Sequence, residues 1–89
     1  MNPARPLPHI QVAFSLHKAD TLDVMEAVLA IARRGGLQLQ ALQLRSRNND
    51  DAAFLALAAP DTELLDLFLH RLHNVIGVHD IDAAHARAA

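Results

Sequence analysis

The sequence predicts an α+β sandwich in which a four-stranded antiparallel sheet carries two helices on one face. Three observations predict it: stretches of apolar alternation with period two, two stretches of apolar spacing near period 3.6, and turn-forming residues that separate them in the order strand, helix, strand, strand, helix, strand. At 89 residues the chain suits one domain with one core. We divide it into a flexible proline-rich tail at 1–8, a domain at 9–82 and a flexible tail at 83–89.

Pro3, Pro6 and Pro8 deny the first segment both backbone donors and helical geometry. From His9 the chain alternates, with Ile10, Val12, Phe14 and Leu16 on one face and Gln11, Ala13, Ser15 and His17 on the other. His17 to Asp20 is a short loop, and Asp20 or Thr21 is the cap of the helix that follows. Leu22, Met25, Val28, Leu29 and Ala32 give that helix its apolar stripe, Arg33 and Arg34 fill its last turn, and Gly35-Gly36 supply a C-cap. In Leu37 to Leu44 the leucines alternate and then slip by one between Leu39 and Leu42, which predicts a bulge or strong twist. Arg45 to Asp51 reads as a hairpin connection. Ala52 to Ala59 is a strand with Ala53, Leu55 and Leu57 facing the core and Phe54, Ala56 and Ala58 facing away. Asp61 caps a second helix with Leu64, Leu65, Phe68, Leu69 and Leu72 on its apolar face, Asn74 closes it, and Val75 to Ile81 is the last strand. Two right-handed strand-helix-strand units in this order make a ferredoxin-like sandwich.

Composition excludes several functions. With no cysteine there is no disulfide, thiolate metal site or cysteine nucleophile. A net charge of -2 with interspersed signs gives no attractive field for nucleic acid or anionic lipid. No apolar run approaches the roughly 18 residues of a membrane span, and Met1 to Pro8 lacks the apolar centre of a secretory signal, so a cytoplasmic protein is expected. The core is aliphatic and light: 17 alanines and 15 leucines stand beside only three aromatic residues, Phe14, Phe54 and Phe68. Such a core favours association, and at least a homodimer is expected.

No set of nucleophile, base and orienter is visible, so no catalytic residue is assigned and an enzyme is not expected. His70 and His73 stand at i and i+3 on the second helix, but a solvated flank beside Arg71 explains them without a third ligand, and no metal site is expected. An enzyme using His70, His73 and His79 is a third, separate reading. Phe54, Ala56 and Ala58, with Ala13 and Ala41 nearby, would form a flat apolar patch on the outer sheet face, a candidate partner interface. The Pro-rich tail or self-association could cover the same patch.

The run Thr21-Leu22 through Arg33-Arg34-Gly35-Gly36-Leu37-Gln38-Leu39-Gln40-Ala41-Leu42-Gln43-Leu44, followed by Ala59-Pro60 and by Val75 to Ile81, resembles an ACT domain. More narrowly, it is similar to small subunits of acetohydroxyacid (acetolactate) synthase, the short isozyme II type above all. The resemblance spans His9 to about Asp82. It implies a non-catalytic regulatory subunit that binds and activates a large catalytic subunit in branched-chain amino-acid biosynthesis. Thiamine diphosphate, Mg and FAD would then sit on the large subunit and no cofactor on this chain. The alternative is a free-standing sensor that binds a small amino acid at a homodimer interface. The resemblance marks Lys18, Ala19, Asp20, Thr21, Leu22 and Gln38 as candidate ligand contacts. Valine-responsive members carry a proline-glycine-alanine-leucine type of loop where this chain has Ala19-Asp20-Thr21-Leu22. Asp20 therefore puts a Cβ and a negative charge where a ligand carboxylate would sit, partly offset by Lys18, and weak or absent valine feedback is expected. Gln38 stands where valine-binding relatives tend to have asparagine. Apart from any ligand, Asp20 is a helix cap and Gln38 an exposed strand residue.

Overall fold

The computed structural model describes residues 7–86, so most of the N-terminal tail and the last three residues lie outside it. The element order is β1 (His9–Leu16), a short 3-10 turn (Lys18–Asp20), α1 (Thr21–Arg34), β2 (Gln38–Ser46), β3 (Asp51–Ala58), α2 (Thr62–Leu72) and β4 (Val78–Ala86). The strands form one antiparallel sheet in the order β2-β3-β1-β4, the ferredoxin-like arrangement that the sequence predicts.

Alternation in the two central strands builds the core. Ile10, Val12 and Phe14 of β1 stand opposite Leu57, Leu55 and Ala53 of β3, and all six side chains are buried. Val24, Met25, Val28 and Ala32 of α1 and Leu65, Phe68 and Leu72 of α2 close over this row. Each fully buried aliphatic or aromatic side chain contributes about 1.5–3 kcal/mol, so the central pair and the two helix stripes hold most of the stability. No helix among the described residues is long and apolar enough to cross a membrane.

The helix ends follow their sequence signals in three places out of four. The Asp61 carboxylate accepts from the Leu64 N–H at 3.1 Å and caps α2. At the end of α1, Gly36 adopts φ +76°, and the N–H groups of Gly35, Gly36 and Leu37 donate to the carbonyls of Ile31, Arg33 and Ala32. At the end of α2 the Asn74 amide donates to the His70 carbonyl. At the start of α1, by contrast, Asp20 occupies the cap position without a side-chain hydrogen bond.

Four other expectations are corrected. Leu22 is 80% exposed, because the buried face of α1 is centred on Thr21, Val24, Val28 and Met25 and leaves Leu22 on its flank. Val75 to Gly77 is a turn, and β4 continues to Ala86 in register with β1, so Ala83–Ala86 belongs to the sheet rather than to a tail. The hairpin connection is shorter than expected, since β2 runs to Ser46 and β3 begins at Asp51. The outer patch is largely closed within the chain: Ala56 and Ala58 are buried, Ala58 lying between His9 and Gln38 in register, and Phe54 is half-buried. The leucine slip in β2, however, falls where the β2–β3 register shifts, between Leu39 and Ala41.

Gly77 fixes how α2 returns to the sheet. It holds φ +98°, and a Cβ there would meet Val24 Cγ2 at 2.7 Å. Gly77→Ala should therefore combine left-handed strain with overpacking and destabilise the protein by about 2 kcal/mol or more, read as a lower urea midpoint at unchanged m-value.

Candidate functional site

Polar side chains gather at one end of the sheet, where β1 stops, α1 starts and the β2–β3 turn reverses the chain. Asp51, the first residue of β3, is the hub. Its Oδ2 accepts from the Thr21 hydroxyl at 2.6 Å and its Oδ1 from the Lys18 ammonium at 3.1 Å. Lys18 also donates to the Ser46 hydroxyl. Thr21 Oγ1 lies 3.3 Å from the His17 carbonyl as well. The turn between β1 and α1 thus meets both strands of the β2–β3 hairpin at one carboxylate. The Thr21 hydroxyl first, and then the Lys18 ammonium, hold the Asp51 carboxyl below the usual carboxylate range.

The outer face of the same end carries a second ion pair. Arg47 grips Asp50 through Nε and Nη2, both at 2.8 Å, and its Nη2 also donates to the buried Ser15 hydroxyl at 3.0 Å. An open hollow of about 750 Å³ lies beside it, with Asn48, Asn49 and Asp80 on its walls. Asp80 holds a positive φ of 54°, next to the place where the β1–β4 register shifts. His17 and His79 lean together with ring centroids 5.1 Å apart. Two of the cationic groups at this end, Lys18 and Arg47, are thus engaged by carboxylates of the chain itself, while Arg45 lines an outer-face hollow with Arg47 and Phe54.

The residues that the resemblance marks divide into two groups. Lys18, Ala19, Asp20, Thr21 and Leu22 are contiguous at this end, with Ala19, Asp20 and Leu22 facing solvent. Lys18 turns to Asp51 and Ser46 in the structure, so it is not free to offset Asp20. Gln38 begins β2 opposite Ala58, seven register steps from the Ser46–Asp51 pair and so about 23 Å from it. A single chain does not bring Gln38 to Lys18 and Thr21. Phe54 lines shallow hollows on the outer face with Ala13, while Ala56 and Ala58 contribute little surface there. His73 Nδ1 lies 2.7 Å from the Leu69 carbonyl, and no group of three or more metal-ligating side chains occurs among the described residues.

Asp51 and Ser46 went unmarked by the sequence, where both read as turn residues. Asp51 is 30 positions from Thr21, and no local pattern announces the pairing.

Because the folded pKa of Asp51 is lowered, the stability it contributes is complete above the ordinary carboxylate range. That contribution is lost as pH falls through the lowered pKa. Urea midpoints measured downward from pH 6 should fall more steeply below about pH 4 for the wild type than for Asp51→Asn. Parallel profiles would mean that the Thr21–Lys18 clasp adds no stability.

No protein-family model matches the sequence, and neither does any curated protein. Solved structures do match in fold. The chain is similar to the C-terminal domain of the MgtC protein from Mycobacterium tuberculosis, with a TM-score of 0.74, 12% identity, and 99% of this chain and 97% of that one covered. It is similar to the ACT domain from the GTP pyrophosphokinase of Chlorobium tepidum, with a TM-score of 0.69, 10% identity, and coverage of 85% and 96%. A de novo designed protein, Foldit4, superposes with a TM-score of 0.78 at 10% identity, covering 94% of this chain and all of that one. The βαββαβ sandwich seen here is therefore the fold that ACT domains share.

Proposed function

We propose that this chain is a non-catalytic regulatory domain of ACT type, acting as the small subunit that binds and activates an acetohydroxyacid synthase large subunit. The reading rests on the resemblance over His9 to Asp82 and on a fold shared with ACT domains. The observation that carries it furthest is the Asp51 hub. Lys18 and Thr21, the polar members of the candidate ligand loop, already hold a carboxylate that belongs to the chain. A free amino acid would have to displace Asp51 and approach Asp20 as well, both at unfavourable charge. Such a subunit activates by preferring the competent state of its enzyme, without a feedback ligand. Thiamine diphosphate, Mg and FAD belong to the large subunit in this reading.

A free-standing sensor is the second reading, favoured by the split of its contacts. Lys18 and Thr21 lie at one end of the sheet and Gln38 at the other, so only a second copy could bring them together around an amino acid.

Titration of the purified protein into an acetohydroxyacid synthase large subunit from its own source cell separates the two. The regulatory reading expects turnover to rise with saturation at equal subunits, and millimolar valine to leave the rise unchanged. An indifferent large subunit refutes it. The sensor reading expects a common amino acid to raise the melting temperature, and a flat screen refutes that.

A further inference from the structure

We propose that His17 and His79 hold a divalent transition cation, of the zinc and copper class, between their imidazole rings. The two residues come from the two ends of the domain's sequence, and the pairing of β1 with β4 brings them together. Ser15 stands opposite His79 and Leu16 opposite Val78, and His17 keeps extended backbone, φ -70° and ψ 133°, one residue past β1. Alternation therefore puts Ser15, His17 and His79 on one face. The two histidines are diagonal neighbours across the strands, a separation that aromatic side chains span. Their ring centroids lie 5.1 Å apart. Two imidazoles bonded to one tetrahedral ion at about 2.0–2.1 Å carry their centroids roughly 5 Å apart, so the pair already has the spacing of a two-ligand clamp. The rings are tilted by 38°, which is neither the stacked nor the edge-to-face arrangement that aromatic pairs prefer when packing alone sets them.

Both rings are available for the task. Among the described residues, His9, His73 and His85 each turn a ring nitrogen to an oxygen of the chain, on Leu7, Leu69 and Asp66. No such bond engages His17 or His79, which are exposed and half-buried. The backbone on each side is set instead. The His17 carbonyl accepts from the Asp20 N–H at 3.0 Å, which anchors the turn. Asp80, directly after His79, holds φ 54° where the β1–β4 register shifts between Ala13 and Ser15. A bulge re-aims the side chains beside it, and left-handed backbone at a non-glycine residue persists only where its surroundings impose it. Here the irregularity delivers His79 to His17.

The chemistry of the donors selects the ion. In a chain without cysteine, imidazole nitrogen is the donor that suits Zn²⁺, Ni²⁺ and Cu²⁺, whereas Mg²⁺ and Ca²⁺ take oxygen. Asp20 and Asp80 add negative charge close by in the chain, and Lys18, the residue after His17, is paired with Asp51. With two protein ligands, the remaining positions on the ion fall to water or to an outside donor. Such an ion would clamp the start of β4 to the turn ahead of α1. The site is independent of any large subunit or amino-acid ligand.

The test is a calorimetric titration of zinc chloride into the full chain, without an affinity tag, at about pH 7.5, since imidazole binds a metal in its neutral form. One ion per chain should bind, copper chloride should bind more tightly than zinc, and magnesium chloride should give no binding. In the zinc titration the imidazole NMR signals of His17 and His79 should shift together while those of His9, His73 and His85 stay. Loss of a supporting hydrogen bond alone typically costs a metal site roughly 10–100-fold in affinity, so His17→Ala and His79→Ala should each weaken zinc binding by at least that much with an unchanged far-UV spectrum. His70→Ala/His73→Ala removes the pair that helical spacing marks on α2 and should leave zinc binding as it was. Absence of zinc binding, an equal response to magnesium, an affinity indifferent to His17→Ala and His79→Ala, or its loss in the α2 double variant would overturn the proposal.

Discussion

Pairing of β1 with β3 is the constraint on which the rest of the structure depends. Among the described residues these two strands are the ones with a neighbour on each side, and their inward rows are apolar throughout. A slip of one residue between them would turn Ile10, Val12 and Phe14 toward solvent together, so the register is strongly specified. Each helix then has one place to go. Both crossovers return to the face where this row stands, and the apolar stripes of α1 and α2 close on it.

That same constraint fixes where the molecule is polar and where it is unfinished. β1 ends at Leu16 opposite Asp51, so the turn into α1 and the turn into β3 necessarily meet at one end of the sheet. Asp51 consequently reaches Thr21 and Lys18, and Arg47 reaches Ser15. β2, at the far side of β3 from β1, is held by its ladder and contributes no buried side chain. The aliphatic core thus draws on the two central strands and the two helices and takes no buried side chain from this edge.

Features carried by local pattern were legible in the sequence, and those made by distant pairing were not. The inner rows of β1 and β3, the Asp61 cap, the glycine end of α1 and the β2 irregularity each leave a mark within a few residues. Ala83–Ala86 reads as a tail because alanine is a poor strand former, yet four partners on β1 hold it in the sheet. The sequence places the apolar stripe of α1 one flank too far, through Leu22 and Leu29, because Thr21 looks like a cap and not like a core residue. Its hydroxyl is satisfied by Asp51, which lets it be buried, and that partner lies 30 positions away. Likewise the outer alanines read as a patch by type, while His9 and Gln38 on the neighbouring strands flank Ala58 in register.

The Asp51 hub ties the edge strand β2 to the start of α1. Any ligand or partner that competes for Lys18 or Thr21 must loosen that tie, and so acts on both elements at once. Coupling of this sort is reciprocal: whatever a partner bound at either element does to the hub, an occupant of the hub does to that partner's binding by the same free energy. A carboxylate supplied by the chain itself then biases the domain toward one arrangement with nothing bound, which is the behaviour a constitutive activator requires and a feedback sensor must overcome.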